Sequence, residues 1–162
     1  MTEAIVNRTA VQEQAAHNYR WNFLVNALDG AAFWFGMSFI SATVILPLFV
    51  SHFTTNPLLI GLIPFLNTTG FFLPQLFMAN AVERAPLKKF YPVTLGFFCE
   101  RMPIFLLVPM AYFLATSRPQ LALATFFVLY AWHALGVGVI VVGWQDMIAK
   151  IIPVDHRGRF FG

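Results

Sequence analysis

Three side chains that can bind a polar solute or carry a proton lie inside long apolar stretches of the sequence. Asn26 and Asp29 belong to the first stretch, where together with Asn22 they follow the i, i+4, i+7 spacing of one helix face. His133 lies within the last stretch. Such groups are costly in hydrocarbon, so we expect them to line a solute or coupling-ion pathway. A hydrogen-bonded packing role is the alternative for His133.

A second possible chemistry is an ion pair inside the membrane. Glu100 and Arg101 are adjacent within another apolar stretch. Consecutive helical residues point in different directions, so these two are not expected to satisfy each other face to face. An ion pair that locks the helices together, with Arg101 as cation and Asp29 or Glu100 as anion, is the structural alternative to a solute site.

The elements that position these groups are apolar helices. Hydrophobic residues make up 59% of the chain and charged residues 10%, whereas soluble domains average about 25% charged residues. A bilayer is crossed by a helix of ~20 apolar residues. The sequence therefore predicts an all-α membrane protein with a polar tail at 1–21 and four transmembrane helices, at about residues 22–50, 58–78, 90–114 and 121–144.

The polar groups of the four predicted spans lie at a common depth. Each is ten to twelve residues from an interfacial marker of its own span, which at ~1.5 Å per residue is roughly 15–18 Å. That level is close to the middle of a ~30 Å hydrocarbon core. The sequence predicts that Asp29, Thr68, Arg101 and His133 lie at one depth.

Small residues indicate where helices approach each other closely. Ala32 with Gly36, and Ala134 with Gly138, follow the small-xxx-small spacing of packed membrane helices. We expect both pairs to face a neighbouring helix.

The basic residues are distributed unequally between the two membrane faces. Loops that are rich in Lys and Arg stay in the cytoplasm. We therefore expect a multi-pass protein of a prokaryotic inner membrane, with the N-terminus and the loops 80–89 and 145–159 inside. Of the ten Lys and Arg residues, those on this side are Arg8, Arg20, Arg84, Lys88, Lys89, Lys150, Arg157 and Arg159.

The loop between the second and third spans carries a distinctive charge pattern. Residues 79–89 read ANAVERAPLKK, in which Glu83 and Arg84 are followed by Lys88 and Lys89. This order resembles the G-x-x-x-D-R-x-G-R-K signature of the major facilitator superfamily, with both glycines replaced.

Three further segments resemble the same family, in the same order along the chain. Residues 55–61, TNPLLIG, are similar to its loop into the second helix. Gly136 and Gly138 match the glycines of an antiporter motif whose Arg and Gln are absent here, so proton antiport is not expected. Pro153 with Arg157 is similar to the P-x-x-x-R-G loop before the fifth helix.

The resemblance implies the fold and the function of a secondary transporter. It covers spans one to four of the N-terminal six-helix half and the start of the fifth, so we expect an N-terminal fragment that does not transport alone. Its partners would be the lipid bilayer, a small-molecule solute and the remaining helices of the same transporter.

The resemblance also assigns roles to individual residues. It places the solute or coupling-ion pathway on the first and fourth helices, at Asn26, Asp29 and His133. An ion pair of Arg84 with Asp146 is expected at the cytoplasmic end. The residues given structural or gating roles are Glu83, Arg84, Lys88, Lys89, Glu100, Arg101, Asp146 and Arg157.

Other functions are less well supported by the residues. The basic side chains are scattered rather than clustered, so no nucleic-acid partner is expected. The chain lacks the H-E-x-x-H and G-x-S-x-G motifs and carries a single cysteine, and we expect no enzyme activity, metal or cofactor. The alternatives are a small four-span subunit of an assembly or a membrane-embedded enzyme that uses Glu100, His133 or Asp146.

Overall fold

The computed structural model describes residues 13–85, 89–153 and 156–158, which are predominantly helical and include no strand. Three helices within that part are long and apolar enough to cross a bilayer. They confirm the predicted class, an all-helical membrane protein. In chain order the helices are α1 Tyr19–Ser38, α2 Ile45–Ser51, α3 Pro57–Arg84, α4 Tyr91–Leu114 and α5 Pro119–Ile151, and the membrane-spanning ones are α3, α4 and α5.

The helices belong to two compact units. Residues 40–144 form one unit, with α2, α3, α4 and most of α5. Residues 1–39 and 145–162 form the other, which holds α1 and the last turns of α5.

The first predicted span, 22–50, is interrupted in the structure. α1 ends at Ser38 and α2 begins at Ile45. The Ser38 hydroxyl donates to Phe35 O at 2.6 Å, which satisfies a carbonyl of the last turn and favours a helix end. Pro47 has no N–H, so it is accommodated in the first turn of a new helix more easily than within a continuous one.

The ends of α3 and α5 lie beyond the predicted spans because hydropathy marks the membrane core and not the helix itself. α3 begins where the Asn56 side chain accepts the Leu58 N–H at 3.0 Å, with Pro57 at the first helical position. It runs on through the polar residues to Arg84. α4 is π-helical from Tyr91 to Arg101 and α-helical from there on.

The fifth helix is the central element of the larger unit. Half of the residues in the 18-residue apolar segment of α5 are buried. The corresponding shares are 11% for α3 and 17% for α4. Phe126 and Tyr130 of α5 are almost fully buried in a core that includes Val50 of α2, Ile63 of α3 and Met110 of α4. The outward faces of α3 and α4 carry exposed phenylalanine and leucine side chains, as expected where a helix faces lipid.

A proline in α3 lies opposite a glycine in α5. Pro74 has no N–H, so the carbonyl of Gly70, four residues earlier, loses its helical donor. Gly138 of α5 lies against Gly70 O and Phe71 O, and a β-carbon at Gly138 would collide with both oxygens. The prediction that Ala134 and Gly138 face a helix is confirmed, since a β-carbon at Gly70 would lie 2.6 Å from Ala134 Cβ.

The same arrangement recurs between α4 and α5. The last π-type bond joins Met102 N–H to Phe97 O. The next residue, Pro103, has no N–H to give to Cys99 O in the α-helical register. Gly136 of α5 lies against that carbonyl, where a β-carbon would collide with it. Such close approach allows Cα–H···O contacts between the helices, each worth about 0.5–1 kcal/mol.

The predicted contact of Ala32 and Gly36 with a neighbouring helix is not made at Gly36 within the described residues. A β-carbon added at Gly36 of α1 would meet nothing within 4 Å. The spacing along the sequence could not distinguish Gly36 from Gly138, because each is the second residue of a small-xxx-small pattern.

We expect Gly138→Ala to destabilise the protein by about 1–3 kcal/mol, because its β-carbon forces α3 and α5 apart. Gly61→Ala is the matched control in α3, since a β-carbon there meets nothing within 4 Å. Unfolding by sodium dodecyl sulfate in mixed micelles, followed by circular dichroism, measures the difference. Equal stability of the two variants would contradict the packing described for Gly138.

Candidate functional site

Two hydrogen bonds join polar residues of the three membrane-spanning helices. The Tyr130 hydroxyl of α5 donates to Asn67 Oδ1 of α3 at 3.2 Å. One turn further along α5, His133 Nδ1 donates to the backbone carbonyl of Glu100 in α4 at 2.8 Å. The rings of Tyr130 and His133 lie 6.0 Å apart. These four residues are called the polar layer.

The bond to Glu100 O determines which nitrogen of His133 carries a proton. A carbonyl oxygen can only accept, so the proton is on Nδ1, and in the neutral ring Nε2 is then an acceptor. Only 2% of His133 is exposed. The structure thus gives His133 a packing role that ties α5 to α4, while its place in a solute pathway stays a prediction.

Glu100 and Arg101 form an ion pair, with 3.2 Å between Arg101 Nη1 and Glu100 Oε2. The expectation that these neighbours cannot satisfy each other was wrong. A π-helix has more residues per turn than an α-helix, so consecutive side chains diverge less. The guanidinium also lies over Gly96, where a β-carbon would be 2.7 Å from Nη1.

This ion pair neutralises a carboxylate that is taken out of solvent. The Glu100 side chain is 8% exposed, whereas that of Arg101 is 39% exposed. An unpaired buried carboxylate would be strongly unfavourable in this surrounding, and the adjacent cation offsets that cost. Glu100 is one of the two partners expected for Arg101, but both residues belong to α4, so this pair does not itself link two helices.

The amide residues of α1 form a short series of bonds in the other unit. Asn26 Nδ2 donates to Asn22 O at 2.7 Å, and Asn22 Nδ2 donates to Ile151 O of α5 at 3.1 Å. Asp29 is exposed, whereas Asn22 and Asn26 are half-buried. The pathway assignment of Asn26 and Asp29 stays a prediction.

Arg157 caps the carboxyl end of α5. Its Nε donates to Ile152 O at 3.1 Å, and its Nη2 donates to Ala149 O. The last carbonyls of a helix have no intrahelical donors, and a cation there also complements the helix dipole. Beside this cap, His156 stacks on Tyr19 with 4.3 Å between ring centroids.

The charged residues around the predicted inner loop lie at helix ends. Glu83 and Arg84 are exposed in the last turn of α3, and Lys89 is exposed just before α4. Lys88 lies outside the described residues. Asp146 Oδ2 accepts a hydrogen bond from Lys150 Nζ at 3.1 Å, and its predicted pairing with Arg84 stays a prediction.

Sequence reasoning missed Tyr130 and its hydrogen bond to Asn67. Tyr130 and His133 share an i, i+3 spacing that could have been noticed, whereas their partners on α3 and α4 depend on how those helices pack. In the part of the chain described here, no three His, Cys, Asp or Glu residues are grouped so that they could hold a metal ion.

We expect His133→Phe to destabilise the protein by about 1 kcal/mol, because Glu100 O loses its interhelical donor. His52→Phe is the matched control, since His52 is exposed and its Nδ1 bonds only to Leu48 O of the preceding turn, at 2.8 Å. Detergent unfolding measures both variants. A loss for His52→Phe as large as that for His133→Phe would contradict the interhelical role.

We expect Arg157→Gln to loosen the end of α5, because Ala149 O and Ile152 O lose a charged donor. Hydrogen–deuterium exchange should rise by about fivefold in peptides that cover 147–153, as loss of a cap of ~1 kcal/mol implies. Arg20→Gln is the control, an exposed arginine of α1. Unchanged exchange in Arg157→Gln would contradict the capping role.

The described residues thus offer a hydrogen-bonded polar layer inside an apolar helical unit, an ion pair with a buried carboxylate beside it, and a capped helix end. Comparison of the chain with protein-family models, curated proteins and solved structures found no match. Function is therefore argued from the residues and their geometry.

Proposed function

We propose that this chain forms the first four spans of a secondary transporter of the major facilitator type, which moves a small solute across a prokaryotic inner membrane. The observation that carries the proposal is the polar layer, which joins three membrane-spanning helices through Tyr130, His133, Asn67 and Glu100 O. Transporters place solute and coupling-ion sites near the bilayer midplane. The order of the charged and glycine motifs along the sequence supports the same proposal.

In this proposal α1 is the first span and crosses the bilayer in addition to α3, α4 and α5. It has 20 residues, and at ~1.5 Å per residue it is about 30 Å long, the thickness of a hydrocarbon core. No residue of α1 is buried, and all of it lies in the described part of the chain. An amide and carboxylate face on such a helix would line the pathway, with Asn26 and Asp29 in contact with the solute or coupling ion.

In this proposal the larger unit supplies rigidity as well as the polar layer. Alternating access requires helices that move as blocks around a fixed site. Glycine packing of α5 on α3 and α4, with the bond from His133 to Glu100 O, holds three helices in one arrangement. Basic residues at the ends of α3 and α5 place those ends in the cytoplasm under this proposal.

The proposal predicts that water reaches Asp29. In a Cys99→Ala background of the full-length protein, we expect Asp29→Cys to react with a membrane-impermeant methanethiosulfonate at least tenfold faster than Leu28→Cys, because a thiol in hydrocarbon does not ionise. Leu28 is the matched control, an exposed apolar residue one position away at nearly the same depth. Equal slow labelling of both positions would exclude a pathway at Asp29.

The proposal also predicts how the gene continues. We expect the reading frame to encode about eight further spans after codon 162, since alternating access needs two halves around a central site. Sequencing of the DNA downstream of that codon tests whether the reading frame continues. A stop codon at that point would favour the alternative, a small subunit of an assembly.

A further inference from the structure

An open apolar groove lies at one end of the larger unit. Its volume is about 500 Å³, within the range of small-ligand sites. Leu48, Phe49 and Phe53 form one wall and Ala115 lies on the other, while His52 and Thr116 are the polar side chains among its lining. Phe49 and Phe53 pack edge to face, with 5.0 Å between their ring centroids.

The position of the groove places it at a membrane interface. α3 begins at Pro57, α4 ends at Leu114 and α5 begins at Pro119. Successive membrane-spanning helices alternate in direction, so these three helix ends lie at the same face of the bilayer. The groove residues come from α2 and from the turn between α4 and α5, and they belong to that end.

The charge at this end has one sign. Segments 40–60 and 114–120 contain no Asp, Glu or Lys, and Arg118 is their only formally charged residue. Arg118 is exposed and lies between Thr116 and Pro119, both of which line the groove. A guanidinium beside an apolar groove at an interface complements a phosphate that is attached to a hydrocarbon chain.

We propose that this groove binds one acyl chain of an anionic phospholipid, whose phosphate is held by Arg118. Water in an apolar groove gains few hydrogen bonds, so a lipid chain displaces it favourably. The apolar wall supplies affinity for any phospholipid, and Arg118 supplies the preference for an anionic headgroup. The site is independent of the proposed transport function and requires only that the chain is embedded in a bilayer.

Native mass spectrometry of the purified chain in mild detergent tests the site, with palmitoyl-oleoyl phosphatidylglycerol and the phosphatidylcholine of the same acyl chains as probes. We expect one phosphatidylglycerol to be retained about fivefold more strongly than phosphatidylcholine, as one arginine near a phosphate implies. Arg118→Gln should abolish that preference and keep the binding of phosphatidylcholine. Arg20→Gln should leave the preference unchanged.

A second pair of variants tests the groove itself. Thr116→Trp fills it and should lower the retention of both lipids by at least fivefold. Thr55→Trp is the matched control, an exposed threonine outside the groove lining. Ala115→Phe also fills the groove and replaces Thr116→Trp as the test variant if Thr116→Trp does not fold, as judged by helical content and monodisperse elution.

Three results would overturn the proposal. Equal retention of the two lipids by the unmodified chain would remove the role of Arg118. Unchanged retention in both groove-filling variants would show that lipid binds elsewhere. A dimer that Thr116→Trp dissociates would assign the groove to a second copy of the chain.

Discussion

The packing of the larger unit depends on carbonyl groups that prolines leave without a helical donor. In hydrocarbon such a group has no water to bond with, so it must be met by protein. Gly70 O in α3 and Cys99 O in α4 lie one turn before Pro74 and Pro103, and α5 presents Gly138 and Gly136 to them. At these two positions a proline coincides with the close approach of α5.

The polar layer follows from the same approach. Because Gly136 brings α5 close to the π-helical part of α4, His133 is within reach of Glu100 O. The π-helical turn also lets Arg101 fold back onto the Glu100 carboxylate over Gly96. A cation, a carboxylate and an imidazole are therefore accommodated in an apolar unit, with each charge paired or hydrogen bonded.

The two ends of α5 make different kinds of contact. At one end of α5, Arg157 and Asn22 satisfy three of the last carbonyls, those of Ala149, Ile151 and Ile152. At its other end, the apolar groove lies beside a single exposed arginine. Helix ends carry unsatisfied backbone groups and polar side chains, so specific contacts with loops and with lipid concentrate there.

The sequence by itself determined the class of this protein and the location of its apolar helices. Length and apolarity of a segment are local properties, and α3, α4 and α5 lie where hydropathy predicted them. The interruption after Ser38 was not predicted, because an apolar composition continues through the break. The tertiary structure alone decided that Glu100 pairs with Arg101, that His133 bonds a carbonyl of α4, and that Gly138 is packed while Gly36 is open. Those facts depend on helical register and on the partner that each face meets, and neither is encoded in the spacing of residues along one helix.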